Sequence, residues 1–85
     1  MFFTEENIEF EICSMTGTEL RDGAECELWI MNGEPGGQMV MEIFRNDEAK
    51  KIELTSWGSY TIPLAAMERL IQFLNEYWGR EFNPL

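Results

Sequence analysis

The chain has 85 residues, 45% of them hydrophobic and 13% aromatic, so it is long enough for one folded domain and too apolar for intrinsic disorder. Its net charge of −10, from 16 acids and 6 bases, argues against non-specific binding to phosphate backbones or anionic lipids. No apolar run approaches the roughly 20 residues needed to cross a bilayer. We therefore expect a single soluble domain over residues 1–85, with no membrane contact.

The negative charge is concentrated in the first part of the chain. Residues 1–34 contain nine acids and one base, whereas residues 35–85 contain seven acids and five bases. A partner attracted by this charge would be basic, although the charge could instead serve only to keep a small protein in solution. The first residues, MFFTEE, carry acids where a secretory signal carries bases, so we expect a cytoplasmic protein.

Alternation of apolar and polar residues predicts four β-strands. In the first, NIEFEIC, the apolar residues Ile8, Phe10 and Ile12 alternate with Glu9 and Glu11. The segment 14–24 is rich in glycine, threonine and aspartate and is predicted to be a long connection. NGEPGG (32–37) and NDEA (46–49) are predicted hairpin turns. The strands are predicted at about 7–13, 25–31, 38–45 and 50–57.

The alternation assigns each strand residue to one of two sheet faces. The inner face is apolar and comprises Ile8, Phe10, Ile12, Cys26, Leu28, Ile30, Met39, Met41, Ile43, Ile52 and Leu54. The outer face mixes glutamates with large apolar residues and comprises Glu9, Glu11, Glu25, Glu27, Trp29, Met31, Val40, Glu42, Phe44, Glu53 and Trp57.

A helix is predicted at about 62–78, where apolar residues recur with helical spacing. Thr61 is predicted to cap its start and Pro63 to occupy its first turn, while Gly79 ends it. One side of this helix must be buried against the sheet. Its apolar stripe comprises Met67, Leu70, Ile71, Leu74 and Trp78.

The predicted fold is therefore α+β, with a four-stranded antiparallel sheet in the order β-β-β-β-α and the helix on its inner face. This order, with YTIPLAAMERL leading into the helix, resembles the whirly class of single-stranded-DNA-binding transcriptional coactivators over roughly Glu25 to Trp78. The resemblance implies a homodimer whose sheet face meets DNA through basic and aromatic residues. Here Glu27, Glu42 and Glu53 occupy that face.

Several kinds of chemistry are absent from the sequence. There is no histidine, which removes the commonest general base and the Ser-His and Cys-His nucleophile pairs, so we do not expect an enzyme. NGEPGG lacks the GK[ST] ending of a phosphate-binding loop, and no segment has calcium-loop spacing. Cys13 and Cys26 match no zinc pattern and are predicted to be free thiols on opposite faces. No metal site or cofactor is predicted.

The remaining candidate site is the outer face of the sheet. Carboxylates around aromatic anchors favour a non-enzymatic module that binds a basic protein surface, for example a small phage or bacterial inhibitor or immunity-type protein that mimics DNA. A whirly-like homodimer that stacks single-stranded bases on the exposed aromatics is the alternative. Exposed aromatics would also favour self-association, unless the strand register differs or Phe2 and Phe3 cover them. The predicted protein-binding residues are Glu9, Glu11, Glu25, Glu27, Trp29, Glu42, Phe44, Glu53 and Trp57.

Overall fold

The computed structural model describes residues 1–18, 21–32, 37–58 and 60–84, and the side chains within these ranges except those of 16–18 and 21. An antiparallel sheet precedes one C-terminal helix, as predicted, with its strands in chain order. The strands are β1 (Phe2–Glu5), β2 (Ile8–Thr18), β3 (Arg21–Ile30), β4 (Gln38–Asn46) and β5 (Lys51–Ser56), and the helix is α1 (Leu64–Phe73), extended by a π-helical turn at Leu74–Trp78.

Among the described residues the sheet has five strands, where the sequence predicted four. The additional strand, β1, pairs with β2 through a tight turn in which Glu6 and Asn7 both have positive φ, at 51° and 63°. Turns of this kind usually carry glycine, so Glu6 and Asn7 gave no turn signal. The Phe3 ring stacks on that of Phe10 with centroids 5.2 Å apart, which places β1 beside β2 at the edge of the sheet.

The predicted long connection at 14–24 was wrong for the residues that the structure describes. β2 continues to Thr18 and β3 already begins at Arg21, so the two strands form a long hairpin with an irregularity between Thr16 and Thr18. Threonine is compatible with a strand as well as with a turn, which is why its abundance misled the prediction. The central positions of the predicted NGEPGG turn, 33–36, lie outside the described residues.

A bulge in β4 changes two predicted side-chain directions. Leu28 pairs with Met41 but Trp29 pairs with Met39, so Val40 is an extra residue in β4. Val40 is completely buried in the core, whereas it was predicted on the outer face. Met39 pairs with an outer-face residue and is only partly buried, whereas it was predicted inside.

The helix packs on the inner face as predicted. Leu70 is 0% exposed and Leu74 is 2% exposed, and both belong to one core cluster with Leu28, Met41 and other residues of β2, β3 and β4. The start of the helix differs from the prediction: Pro63 is the N-cap residue, and no side-chain hydrogen bond caps the helix there. Gly79 ends the helical segment with a φ of 75°, as expected.

The buried charge of Arg45 holds the end of the helix against the sheet. Its Nη1 donates to the carbonyl oxygens of Trp78 and Gly79, at 2.7 and 3.2 Å. Its Nε and Nη2 donate to the Asp47 carboxylate at 2.9 and 3.2 Å. A cation at this place also suits the negative end of the helix dipole.

The helix does not cover the last strand. Ile52 and Leu54 were predicted to be inside, but they are 39% and 48% exposed, and neither belongs to the core cluster. Every residue of β5 is exposed, so this strand projects beyond the helix on the inner side. Among the described residues, no helix is long and apolar enough to cross a membrane.

Candidate functional site

The predicted outer-face glutamates do lie on one side of the sheet, opposite the helix. Strand pairing places Glu27 directly opposite Glu42, and places Phe44 between Glu25 and Glu53. Glu11 lies opposite Trp29 on the same side. We call these acids the acidic face; its members are Glu9, Glu11, Glu25, Glu27, Glu42 and Glu53.

Three members of the acidic face form a carboxylate cluster. Glu25, Glu27 and Glu42 bring one carboxylate oxygen each to within 4.8 Å of one another, and they are the one such group among the described residues. Grouped carboxylate oxygens can accept hydrogen bonds from a guanidinium or ammonium group, or contribute ligands to a hard divalent cation. Glu25 and Glu42 also interact elsewhere within the chain, so neither carboxylate depends on an added ligand for a partner.

Sequence reasoning selected these three acids individually but did not find the cluster. Glu25 and Glu27 are neighbours on one side of β3, whereas Glu42 comes from β4 and joins them only through the register. No linear spacing motif contains such a set. The sequence carries no signal for it, because the pairing of Glu42 with Glu27 follows a bulge at Val40 that alternation along β4 does not reveal.

Burial divides the predicted binding residues into two groups. Glu25, Glu42 and Phe44 are buried, at 9%, 8% and 6% exposure. The other six predicted residues retain accessible surface: Glu11, Glu27 and Trp29 are half-buried, and Glu9, Glu53 and Trp57 are exposed. A partner would therefore meet the second group directly.

The predicted patch of three exposed aromatic residues is not present, because Phe44 is buried. Trp57 is 41% exposed, and the half-buried Trp29 donates its indole Nε1–H to the Glu27 carboxylate at 3.2 Å. This hydrogen bond orients the Glu27 carboxylate. Phe2 and Phe3 belong to β1 at the edge of the sheet, where the exposed Phe2 pairs with Glu11 on the outer side and Phe3 pairs with Phe10 on the inner side.

The two thiols lie on opposite sides of the sheet, as predicted. Cys13 pairs with Glu27 on the outer side. Partial burial is the main cause that raises its pKa, and the nearby Glu11 carboxylate raises it further. Cys26 is buried in the core, and desolvation raises its pKa from 9.0 to about 11. Both shifts favour the neutral thiol over the nucleophilic thiolate at neutral pH.

No protein-family model, curated protein or solved structure matches the chain. The resemblance to the whirly class therefore depends on the order of the elements alone.

Proposed function

We propose that this protein is a non-enzymatic binding module whose acidic face engages the basic surface of a protein partner. The observation that supports the proposal is the group of accessible acids Glu9, Glu11, Glu27 and Glu53, which lie on one side of the sheet around the buried Glu25 and Glu42. Several carboxylates at fixed positions on a sheet suit arginine and lysine side chains of a partner, and they accelerate its approach. Mimicry of the charge pattern of DNA is one form that this binding could take.

Three of the described bases lie away from the acidic face, and Lys51 is the one beside it, on the same side of β5 as Glu53. Arg45 is buried on the inner side, Arg69 pairs with Glu5 beside the Phe3 ring, and Arg80 contacts Asn75. None of these three can neutralise a phosphate on the acidic face. A single strand stacked on Trp29 or Trp57 would place its phosphates against the glutamates.

The test compares two variants of equal net charge. The face variant replaces the accessible acids Glu9, Glu11, Glu27 and Glu53 with glutamine. The control variant replaces four exposed acids elsewhere with glutamine. These are Glu48, Glu68, Glu76 and Glu81. Each set changes the net charge from −10 to −6, so the two proteins differ in where charge was removed and not in how much.

The probe is a fluorescent peptide of about ten arginines, titrated by anisotropy at low and high salt. We expect the face variant to bind more than about tenfold more weakly than the wild type, with a shallower salt dependence, and the control variant to bind within about threefold of it. Equal weakening in both variants would mean that only net charge matters and would refute the proposal. Tighter binding of the face variant to oligothymidine would instead support a nucleic-acid function.

A further inference from the structure

The exposed edge of β5 is the strongest unassigned feature of the fold. Ile52 and Leu54 are 39% and 48% exposed although they lie on the inner, helix-bearing side of the sheet. Together with Ile71 and Leu74 they line an apolar groove of about 180 Å³ between the strand and the helical segment. An open edge beside uncovered apolar side chains is a surface that proteins usually protect.

The backbone of β5 is prepared to pair with another strand. Trp57 donates its N–H to the Val40 carbonyl at 3.0 Å, so by antiparallel alternation the odd-numbered residues of β5 bond to β4. The even-numbered residues, Ile52, Leu54 and Ser56, therefore direct their N–H and C=O groups to the free edge. The opposite edge strand, β1, has only four residues, and its Glu5 is held by Arg69 at 2.8 Å.

We infer that the β5 edge binds the β5 edge of a second copy of this chain, antiparallel and centred on Leu54, to form one continuous ten-stranded sheet. In this register Ile52 pairs with the second copy's Ser56, and Leu54 pairs with its own counterpart. All six outward-facing backbone groups of each strand's Ile52, Leu54 and Ser56 obtain partners. The two apolar grooves then adjoin across the symmetry axis.

Charge favours this surface and this register for contact between two copies. Residues 50–57 hold two lysines and one glutamate, for +1, so the remainder of the chain carries −11. Two β5 edges therefore meet with only a small like charge on each, whereas contact between the two acidic faces would be strongly repulsive. Centring on Leu54 sets Glu53 opposite Thr55 and Lys51 opposite the Trp57 ring, where a cation–π contact can form. Centring on Glu53 would instead oppose two glutamates, which is unfavourable.

The first experiment measures oligomeric state by sedimentation equilibrium up to about 100 μM, where a dimer of moderate affinity is populated by mass action. We expect a dimer for the wild type and a monomer for Leu54→Lys, with the dissociation constant raised more than about tenfold. Leu64→Lys is the matched control, because Leu64 is a 62% exposed leucine on the helix, and it should remain dimeric. A monomeric wild type, or a Leu54→Lys variant as dimeric as the control, would overturn the inference.

A second measurement does not depend on how well the lysine variant folds. Paired Cα atoms at a hydrogen-bonded position are about 5.5 Å apart, within the range that a disulfide spans. Leu54→Cys in a Cys13→Ser background should therefore form an intermolecular disulfide under mild oxidation, whereas Leu64→Cys in the same background should not. Equal cross-linking of both, or of neither, would rule out pairing centred on Leu54.

Discussion

The buried contact between Arg45 and Asp47 offers the most informative test of the fold. Arg45 is 3% exposed and Asp47 is also 3% exposed, so neither charge is solvated by bulk water. Replacing Arg45 with methionine preserves much of its volume but removes every one of its donors. The Asp47 carboxylate would lose its partner in a buried site, and two carbonyl oxygens at the helix end would lose theirs.

Removing one partner of a buried ion pair costs about 3 to 5 kcal/mol, because the other charge remains desolvated and uncompensated. A chain of 85 residues is expected to have a total stability of about 4 to 13 kcal/mol, so Arg45→Met should remove a large part of it. Adding Asp47→Asn to Arg45→Met removes the stranded charge. We therefore expect the double variant to be more stable than the sum of the single changes implies, by more than about 1 kcal/mol.

The assay is urea unfolding monitored by circular dichroism. The urea concentrations at the midpoint are compared between variants whose unfolding free energy depends on urea with the same slope. Arg80→Met is the matched control: Arg80 is exposed and its side chain contacts Asn75 at 2.7 Å, so the change should cost less than about 0.5 kcal/mol. If Arg45→Met and Arg80→Met had the same small effect, or if the two changes at Arg45 and Asp47 were additive, the proposed role of this ion pair would be wrong.

Two further predictions concern the core. Leu70→Ala should lower the free energy of unfolding by about 2 to 5 kcal/mol because Leu70 is completely buried, whereas Leu64→Ala, at an exposed helix position, should change it little. Cys26 should make stability fall as the pH rises, since the unfolded chain releases the thiol proton near pH 9.0 and the folded chain only near 11. Between these values the native state holds the extra proton, so the wild type should lose about 2 to 3 kcal/mol that a Cys26→Ala variant does not lose. A steeper or equal decline in the alanine variant would contradict this.

The elements that the sequence predicted well are those in which burial of one side requires apolar residues to recur at a regular spacing. The helix could be located because Leu70, Leu74 and their apolar neighbours must all face the sheet, and they do. The same reasoning placed Phe10, Ile12 and Leu28 inside. The cause is the same in both cases, since one buried face selects one repeating pattern.

The features that were missed depend on contacts between segments far apart in the chain. β1 has only four residues, and it is stable as a strand through pairing with β2 and the stacking of Phe3 on Phe10. Arg45 was assigned only as the last residue of a strand, because its partners at Trp78 and Gly79 are more than thirty positions away. Exposure of β5 likewise follows from which strands the helix covers, which alternation within β5 cannot indicate.

The carboxylate cluster provides a last prediction, which separates an effect on binding from an effect on folding. Glu27 and Glu42 face each other across β3 and β4, and like charges at directly opposed positions are unfavourable. The bulge at Val40 creates this pairing, since the register before the bulge would continue with Glu42 opposite Cys26. The face variant should accordingly fold at least as stably as the wild type while losing its affinity for basic partners, and a loss of both together would indicate that the glutamates serve the fold instead.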